Sequence, residues 1–137
     1  MDTKLKGDIA VQRAVLAGLQ NGWGVLVPVG DRLPYDLVYD VPGVGLRRVQ
    51  VKTAYKSGSG YTANVRRMKT NRRVYKFERY KPGDFDFAIL VAEQTLYVVP
   101  AKVFLRFKSS ISVHADVSRL RGPTREFCEA WHLIVES

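Results

Sequence analysis

The chain has one cysteine, Cys128, in 137 residues, so no disulfide can close within it. A reducing, intracellular setting is the expectation that follows. No apolar run approaches the roughly 20 residues a membrane helix needs, and Met1-Asp2-Thr3-Lys4 begins no signal-peptide stretch. No membrane partner is therefore expected. Histidine is scarce: His114 and His132 stand alone, without the spacing of a zinc site. The P-loop, the dinucleotide-binding fingerprint and the Gly-x-Ser-x-Gly elbow are all missing. So are repeats, low-complexity tracts and linkers, which leaves a single domain over residues 1–137 as the expected organisation.

Acid is scarce in one place in particular. From Arg66 to Lys81 there are eight basic residues and one acid, Glu78, so this stretch carries +7 of the net +9. A solvated face normally mixes signs. A one-sign cluster inside a folded domain points to a polyanion, of which nucleic acid is the common case. Tyr61, Val65, Met68, Val74, Tyr75, Phe77 and Tyr80 interleave apolar bulk with the charge, which a merely solvated tail would not need. The segment from about 55 to 81 reads as a β-ribbon or a long basic insertion, turning first at Ser57 to Gly60. Asn64, Arg66, Arg67, Lys69, Asn71, Arg72, Arg73 and Lys76 are its candidate DNA contacts. Arginine can pair with guanine edges or phosphates, asparagine with adenine, and a two-stranded ribbon fits the major groove.

Periodicity supplies the rest of the architecture. Ile9, Ala14, Val15, Leu16 and Leu19 recur at helical spacing, and Asn21-Gly22 ends that helix. Gly24 to Val29 and Tyr35 to Tyr39 are short apolar runs. Arg47 to Thr53 alternates, with Val49 and Val51 on one face and Arg48, Gln50 and Lys52 on the other. Phe85 to Ala92 and Thr95 to Pro100 read as a hairpin around Glu93-Gln94. Ala101 to Phe107 reads as a short helix. Pro123 to Ala130 reads as a helix with Pro123 in its first turn, and Trp131 to Val135 as a last strand or the end of that helix. The order predicts a mixed sheet flanked by helices, an α/β or α+β layer fold.

Two of these strands bring chemistry together. Gln50 and Lys52 share a face because strand side chains alternate. If the strand Pro34 to Val38 pairs with Val49 to Lys52 through the short Val41 to Leu46 connection, Asp36 joins them. An acid, an oxygen donor and a lysine at one point suit phosphodiester hydrolysis. Mg²⁺ takes oxygen ligands and keeps several waters, so Asp36, the Gln50 side-chain oxygen and the Val51 carbonyl are candidate ligands. Mn²⁺ and Ca²⁺ are candidate substitutes. Lys52 would hold or deprotonate the attacking water and offset charge on the phosphate. Other residues read more plainly: Asp31 as a turn former, Asp84 and Asp86 as a strand start, Cys128 as an inert thiol, Trp23 and Trp131 as core.

Pro-x-Asp followed on the next strand by an acid or Gln, any residue and Lys resembles the PD-(D/E)xK nuclease superfamily. The wider string is more specific. Lys6-Gly7-Asp8-Ile9-Ala10, Pro28-Val29-Gly30-Asp31-Arg32-Leu33, Tyr35-Asp36-Leu37, Gln50-Val51-Lys52 and Asp84-Phe85-Asp86-Phe87-Ala88 together resemble the group I intron-encoded homing endonucleases of cyanobacteria built on that fold. The likeness runs on to Ala130-Trp131-His132-Leu133-Ile134. It implies a restriction-endonuclease-like fold, Mg²⁺-dependent double-strand cleavage of an intron-insertion site, a bacterial, nucleoid-associated location and a homotetramer. Such nucleases carry a Glu on the first helix; that position falls on Val11 here, and Asp8, one turn earlier, is the candidate replacement.

Two other functions remain open at this point: a nucleic-acid binder on a decayed nuclease fold, and a repair or junction-resolving nuclease. Size independently asks for more than one copy. A chain of this length has a radius of gyration near ~14 Å, whereas a site of some twenty base pairs spans about 70 Å of duplex. A homo-oligomer on double-stranded DNA is expected, tetramer before dimer. Val103, Phe104, Phe107, Ile111, Val113 and Phe127 are candidate interface residues.

Overall fold

In the computed structural model, which describes residues 2–70, 75–119 and 122–137 (backbone alone at 68–70, 75 and 76), helix α1 spans Thr3–Gln20. Asp2 caps it by accepting from the Leu5 amide at 2.8 Å, and Gly22, at φ +82°, turns the chain out of it. The buried face of α1 is made of small residues, Ala10, Ala14 and Gly18. The helix therefore lies close on the sheet: a Cβ at Gly18 would meet the Tyr39 ring at 2.5 Å, and the Tyr39 hydroxyl donates to the Ala14 carbonyl at 2.7 Å. Bulk comes instead from the aromatic trio Trp23, Tyr39 and Trp131, whose rings meet at 5.1 to 6.4 Å. The periodic Ile9, Leu16 and Leu19 do not form the buried face; they are exposed.

The strands are β1 (Gly24–Leu26), β2 (Leu37–Val41), β3 (Gly45–Thr53), β4 (Tyr55–Ser57), β5 (Gly60–Asn64), β6 (Arg66–Thr70), β7 (Tyr75–Arg79), β8 (Phe87–Ala92), β9 (Thr95–Pro100) and β10 (Ser110–Val113). Five of them form the main sheet in the order β1-β2-β3-β8-β9. All its pairs are antiparallel except β3 with β8. The parallel pair needs a long crossover, and that crossover holds the β4–β7 excursion. β4 and β5 join β10 in a small second sheet, while β6 and β7 pair only with each other.

Strand alternation divides the core in two. Val49, Val51, Phe87, Ile89, Leu96 and Val98 face α1. Ala88, Leu90, Tyr97 and Val99 face the other way, onto Ala63, Tyr80, Phe85, Phe104, Ile111, Val113 and Phe127. Phe104, Ile111, Val113 and Phe127 are thus buried in the chain's own core, with Val103 and Phe107 packed against it. Those four are not free to form an interface, whereas Val103 and Phe107 keep part of their surface exposed. The segment expected to be helical from Pro123 has only a 3₁₀ turn, Arg125–Phe127. Its lack of helical continuity has a visible cause: Glu129 adopts φ +49° and donates its backbone N–H to the Leu96 carbonyl. Short helices α2 (Ala101–Phe104) and α3 (His132–Val135) complete the fold. No helix among the described residues is long and apolar enough to cross a membrane.

Candidate active site

The site forms where β2 begins beside β3. Leu37 pairs with Val49, so the residue before it, Asp36, stands opposite Gln50. Asp36 lies just ahead of β2 rather than within it, yet its N–H still reaches the Val49 carbonyl at 2.8 Å. Its carboxylate turns onto β3: Oδ2 accepts from the Val51 amide (2.8 Å) and from Gln50 Nε2 (2.9 Å). Gln50 is buried, and its Nε2 also reaches the Val51 carbonyl at 3.1 Å. A one-residue slip of β3 would have sent Gln50 and Lys52 into the α1 side of the core. Register is what delivers them here.

Lys52 completes the group. Its Nζ donates to the Arg66 carbonyl at 3.0 Å and lies 4.9 Å from the centre of the Tyr80 ring. Burial, partly offset by Asp36, lowers its pKa to about 8, and the neighbouring Arg67 pushes the same way as burial. Burial raises the Asp36 carboxyl above its ordinary value, against the Val51 N–H and the Lys52 charge.

The donor set fits a hard divalent cation. Asp36 Oδ2 and the Val51 carbonyl already converge on one positive dipole end, the Gln50 amide nitrogen. Turning the Gln50 amide over would exchange that nitrogen for its oxygen. Among the described residues no group of three His, Cys, Asp or Glu could hold a metal. One carboxylate and two neutral oxygens match the sparse protein ligation of Mg²⁺, which is completed by water and phosphate. The hollow of about 280 Å³ between α1 and the ends of β3 and β8 is lined by Lys6, Arg13, Tyr55 and Glu93, among others, and by none of the site residues.

These features are those of one nuclease lineage. The PD-(D/E)XK endonuclease family matches residues 1–134. The chain belongs to the PD-(D/E)XK endonuclease family. Among solved structures, the bacterial homing endonuclease I-Ssp6803I is 46% identical, with a TM-score of 0.86, over 99% of this chain and 95% of its own. No protein of curated function matches. The expected fold, a mixed sheet with flanking helices, and the expected homing-type PD-(D/E)XK endonuclease are borne out.

Other candidates fare differently within this PD-(D/E)XK endonuclease. Asp8 is exposed on α1, and its carboxylate takes no hydrogen bond or ion pair among the described residues. No hydrogen bond among the described residues links it to Asp36. Val11 is half-buried against the α1-side core, as a valine should be. In the basic segment, β6 and β7 do form a two-stranded ribbon. Asn64 spends its side-chain oxygen on the Arg66 amide at 2.8 Å. That contact closes a local turn at the entry to β6, and it leaves the oxygen's second lone pair and the amide nitrogen available. Arg66 lies 4.7 Å from the centre of the Phe77 ring, and Arg67 donates to the Arg32 carbonyl at 2.9 Å. The side chains of Lys69 and Lys76, and all of Asn71, Arg72 and Arg73, lie outside the described residues. Asp86 starts its strand as expected, accepting from the Arg48 amide at 2.8 Å. Tyr80 was legible only as apolar bulk in a basic run; its contact with Lys52 has no signature in spacing.

Proposed function

We propose that this PD-(D/E)XK endonuclease is one nuclease domain that cuts double-stranded DNA site-specifically, at an intron-insertion site, using Mg²⁺ held by Asp36, Gln50 and the Val51 carbonyl. The observation that carries this is the meeting of one carboxylate, the Val51 carbonyl, the Gln50 amide and one lysine at the foot of a basic ribbon. When bound, the cation would polarise the scissile phosphate and lower the pKa of a water. Asp36, pinned by the Val51 amide, gives the cation a pre-oriented carboxylate. Lys52 would orient the attacking water, take part in its deprotonation and offset charge on the phosphate. The test is cleavage of host DNA lacking the intron against the same DNA carrying it, with Mg²⁺ and with EDTA. Mg²⁺-dependent cutting of the intronless DNA alone is expected. Binding without cutting would instead favour a decayed nuclease, the reading to which Val11 lends support.

The ribbon is the proposed reader of DNA. Arg72 and Arg73 fall in the sequence between its two strands. Replacing both by Ala is expected to flatten the slope of log affinity against log salt by about one unit for each phosphate those arginines neutralise. An unchanged slope would place the duplex elsewhere.

Assembly is proposed to run through α1, with a second copy of the chain as partner. Leu5, Ile9, Leu16 and Leu19 are 46, 40, 54 and 56% exposed. With Gln12 they follow the alternating four-and-three spacing of a coiled-coil seam. Asp8 precedes Arg13 by five residues, the spacing that pairs opposite charges across two parallel helices. Light scattering at micromolar concentration should give at least two chains, and four if a second contact braces the pair. Leu16→Glu with Leu19→Glu should lower that mass. A parental mass for the double variant would remove α1 from the interface.

A further inference from the structure

The Lys52 amine is held from two directions by a single element. Its hydrogen-bond acceptor, the Arg66 carbonyl, belongs to the first residue of β6. The ring beneath it, Tyr80, directly follows Arg79, the last residue of β7. Arg66 and Arg79 are paired across the ribbon. Lys52 is therefore enclosed by the two ends of the ribbon where it joins the body of the protein.

That foot is stiff. The Arg66 peptide is fixed by its N–H bond to Asn64 Oδ1 at 2.8 Å. Tyr80 is buried and meets Phe85 and Phe104 edge-on, at 5.2 and 6.1 Å between ring centres. Next along β6, Arg67 ties the ribbon to the Arg32 carbonyl, in the loop that leads to Asp36. A free lysine stem carries considerable rotamer entropy, and reaction rates depend steeply on holding a reacting group in place. A carbonyl on one side and an aromatic face on the other supply that hold.

We propose that the foot of the ribbon positions the Lys52 amine for cleavage, with Tyr80 as the positioning residue, so that DNA seated on the ribbon acts on the same foot that orients the amine. The inference rests on the reading of Lys52 as a catalytic residue. It couples target recognition to chemistry: a duplex seated on the ribbon is held in register with the amine, and one that fails to seat is not. Asn64 joins the device through the Arg66 peptide.

The test uses the full chain and the intronless target duplex. Single-turnover cleavage is measured with saturating protein and Mg²⁺, affinity for the same duplex in EDTA, and Tm for each variant. Tyr80→Leu, which keeps apolar volume without a π face, should slow cleavage at least tenfold while affinity stays within about threefold. Tyr80→Phe should restore the rate, because the ring face remains. Should Tyr80→Leu fail to fold, exposed Asn64 decides: Asn64→Ala should slow cleavage by more than it weakens binding, and Asn64→Asp, which keeps an acceptor for the Arg66 amide, should restore the rate. Lys52→Met is run alongside. If it is inactive while Tyr80→Leu and Asn64→Ala cleave at the parental rate, the positioning role is overturned and Lys52 remains catalytic. If Lys52→Met itself cleaves normally, the catalytic reading fails and the inference with it. Equal losses in Tyr80→Leu and Tyr80→Phe, or a loss of affinity matching the loss of rate, would also overturn it.

Discussion

Lys52→Met should lower the single-turnover cleavage rate by about 10² to 10³-fold, the scale of losing one group that stabilises transition-state charge or transfers a proton. Methionine keeps the length of the stem and removes only the amine. DNA affinity should change little, because Lys52 sits beneath the ribbon rather than on it. The same variant should be more stable than the parent at neutral pH, measured without divalent metal. The Lys52 pKa is about 8 in the folded chain against 10.5 in the unfolded one. Between those values the unfolded state binds more protons, so the parent loses stability as pH falls from 10.5 to 8. Below pH 8 the cost is fully present, on the order of 3 kcal/mol from the size of the shift. Methionine leaves the Arg66 carbonyl without its donor, which returns about 1 kcal/mol of that gain. The net effect is a higher Tm at pH 7, fading as pH rises towards 10.5. Turnover within tenfold of the parent would remove Lys52 from the mechanism, and a lower Tm at pH 7 would contradict its burial cost.

Asp36→Asn should abolish Mg²⁺-dependent cleavage, by 100-fold or more, since removal even of a group that merely supports a ligand commonly costs about 10 to 100-fold in metal affinity or activity. Among the described residues the site offers no second carboxylate in contact with Gln50 or the Val51 amide. A readout independent of cutting is available. Mg²⁺ should raise the parent's Tm, as any ligand of the folded state does, and leave that of Asp36→Asn unmoved. Acid behaviour should change too. The folded Asp36 carboxyl lies above the unfolded value of 3.8, so in that window the folded state binds the extra proton and stability rises as pH falls. Asparagine removes this contribution. Near-normal Mg²⁺-dependent cutting by Asp36→Asn would put the metal elsewhere.

Much of the site was legible because strand alternation is a strict rule. Val49 and Val51 against Gln50 and Lys52 is a period-two pattern that fixes opposite faces whatever the rest of the fold does. The hairpin of β8 and β9, the ribbon as a distinct basic element and the membership of Asp36 in the site followed from similarly local signals. The first helix shows where such signals stop. Its extent was plain, but its apolar periodicity pointed to Ile9, Leu16 and Leu19, and the buried face is Ala10, Ala14 and Gly18. Which stripe of a helix is buried depends on what it packs against, and here the sheet presents the Tyr39 ring, so close that a Cβ at Gly18 would strike it. The same limit governs the C-terminal apolar residues, which fill the chain's own second core layer.

By itself the sequence determined which residues can do chemistry and which face of β3 they share, because residue type and alternation are properties of the chain alone. Only the tertiary structure decided what surrounds them. The parallel pairing of β3 with β8 forces a long excursion between the two strands, and that excursion folds back so that Arg66 and Tyr80 close on Lys52. Which residues meet across such a distance in the chain is set by how elements pack, and packing is decided by volume and register across the whole molecule rather than by any local pattern.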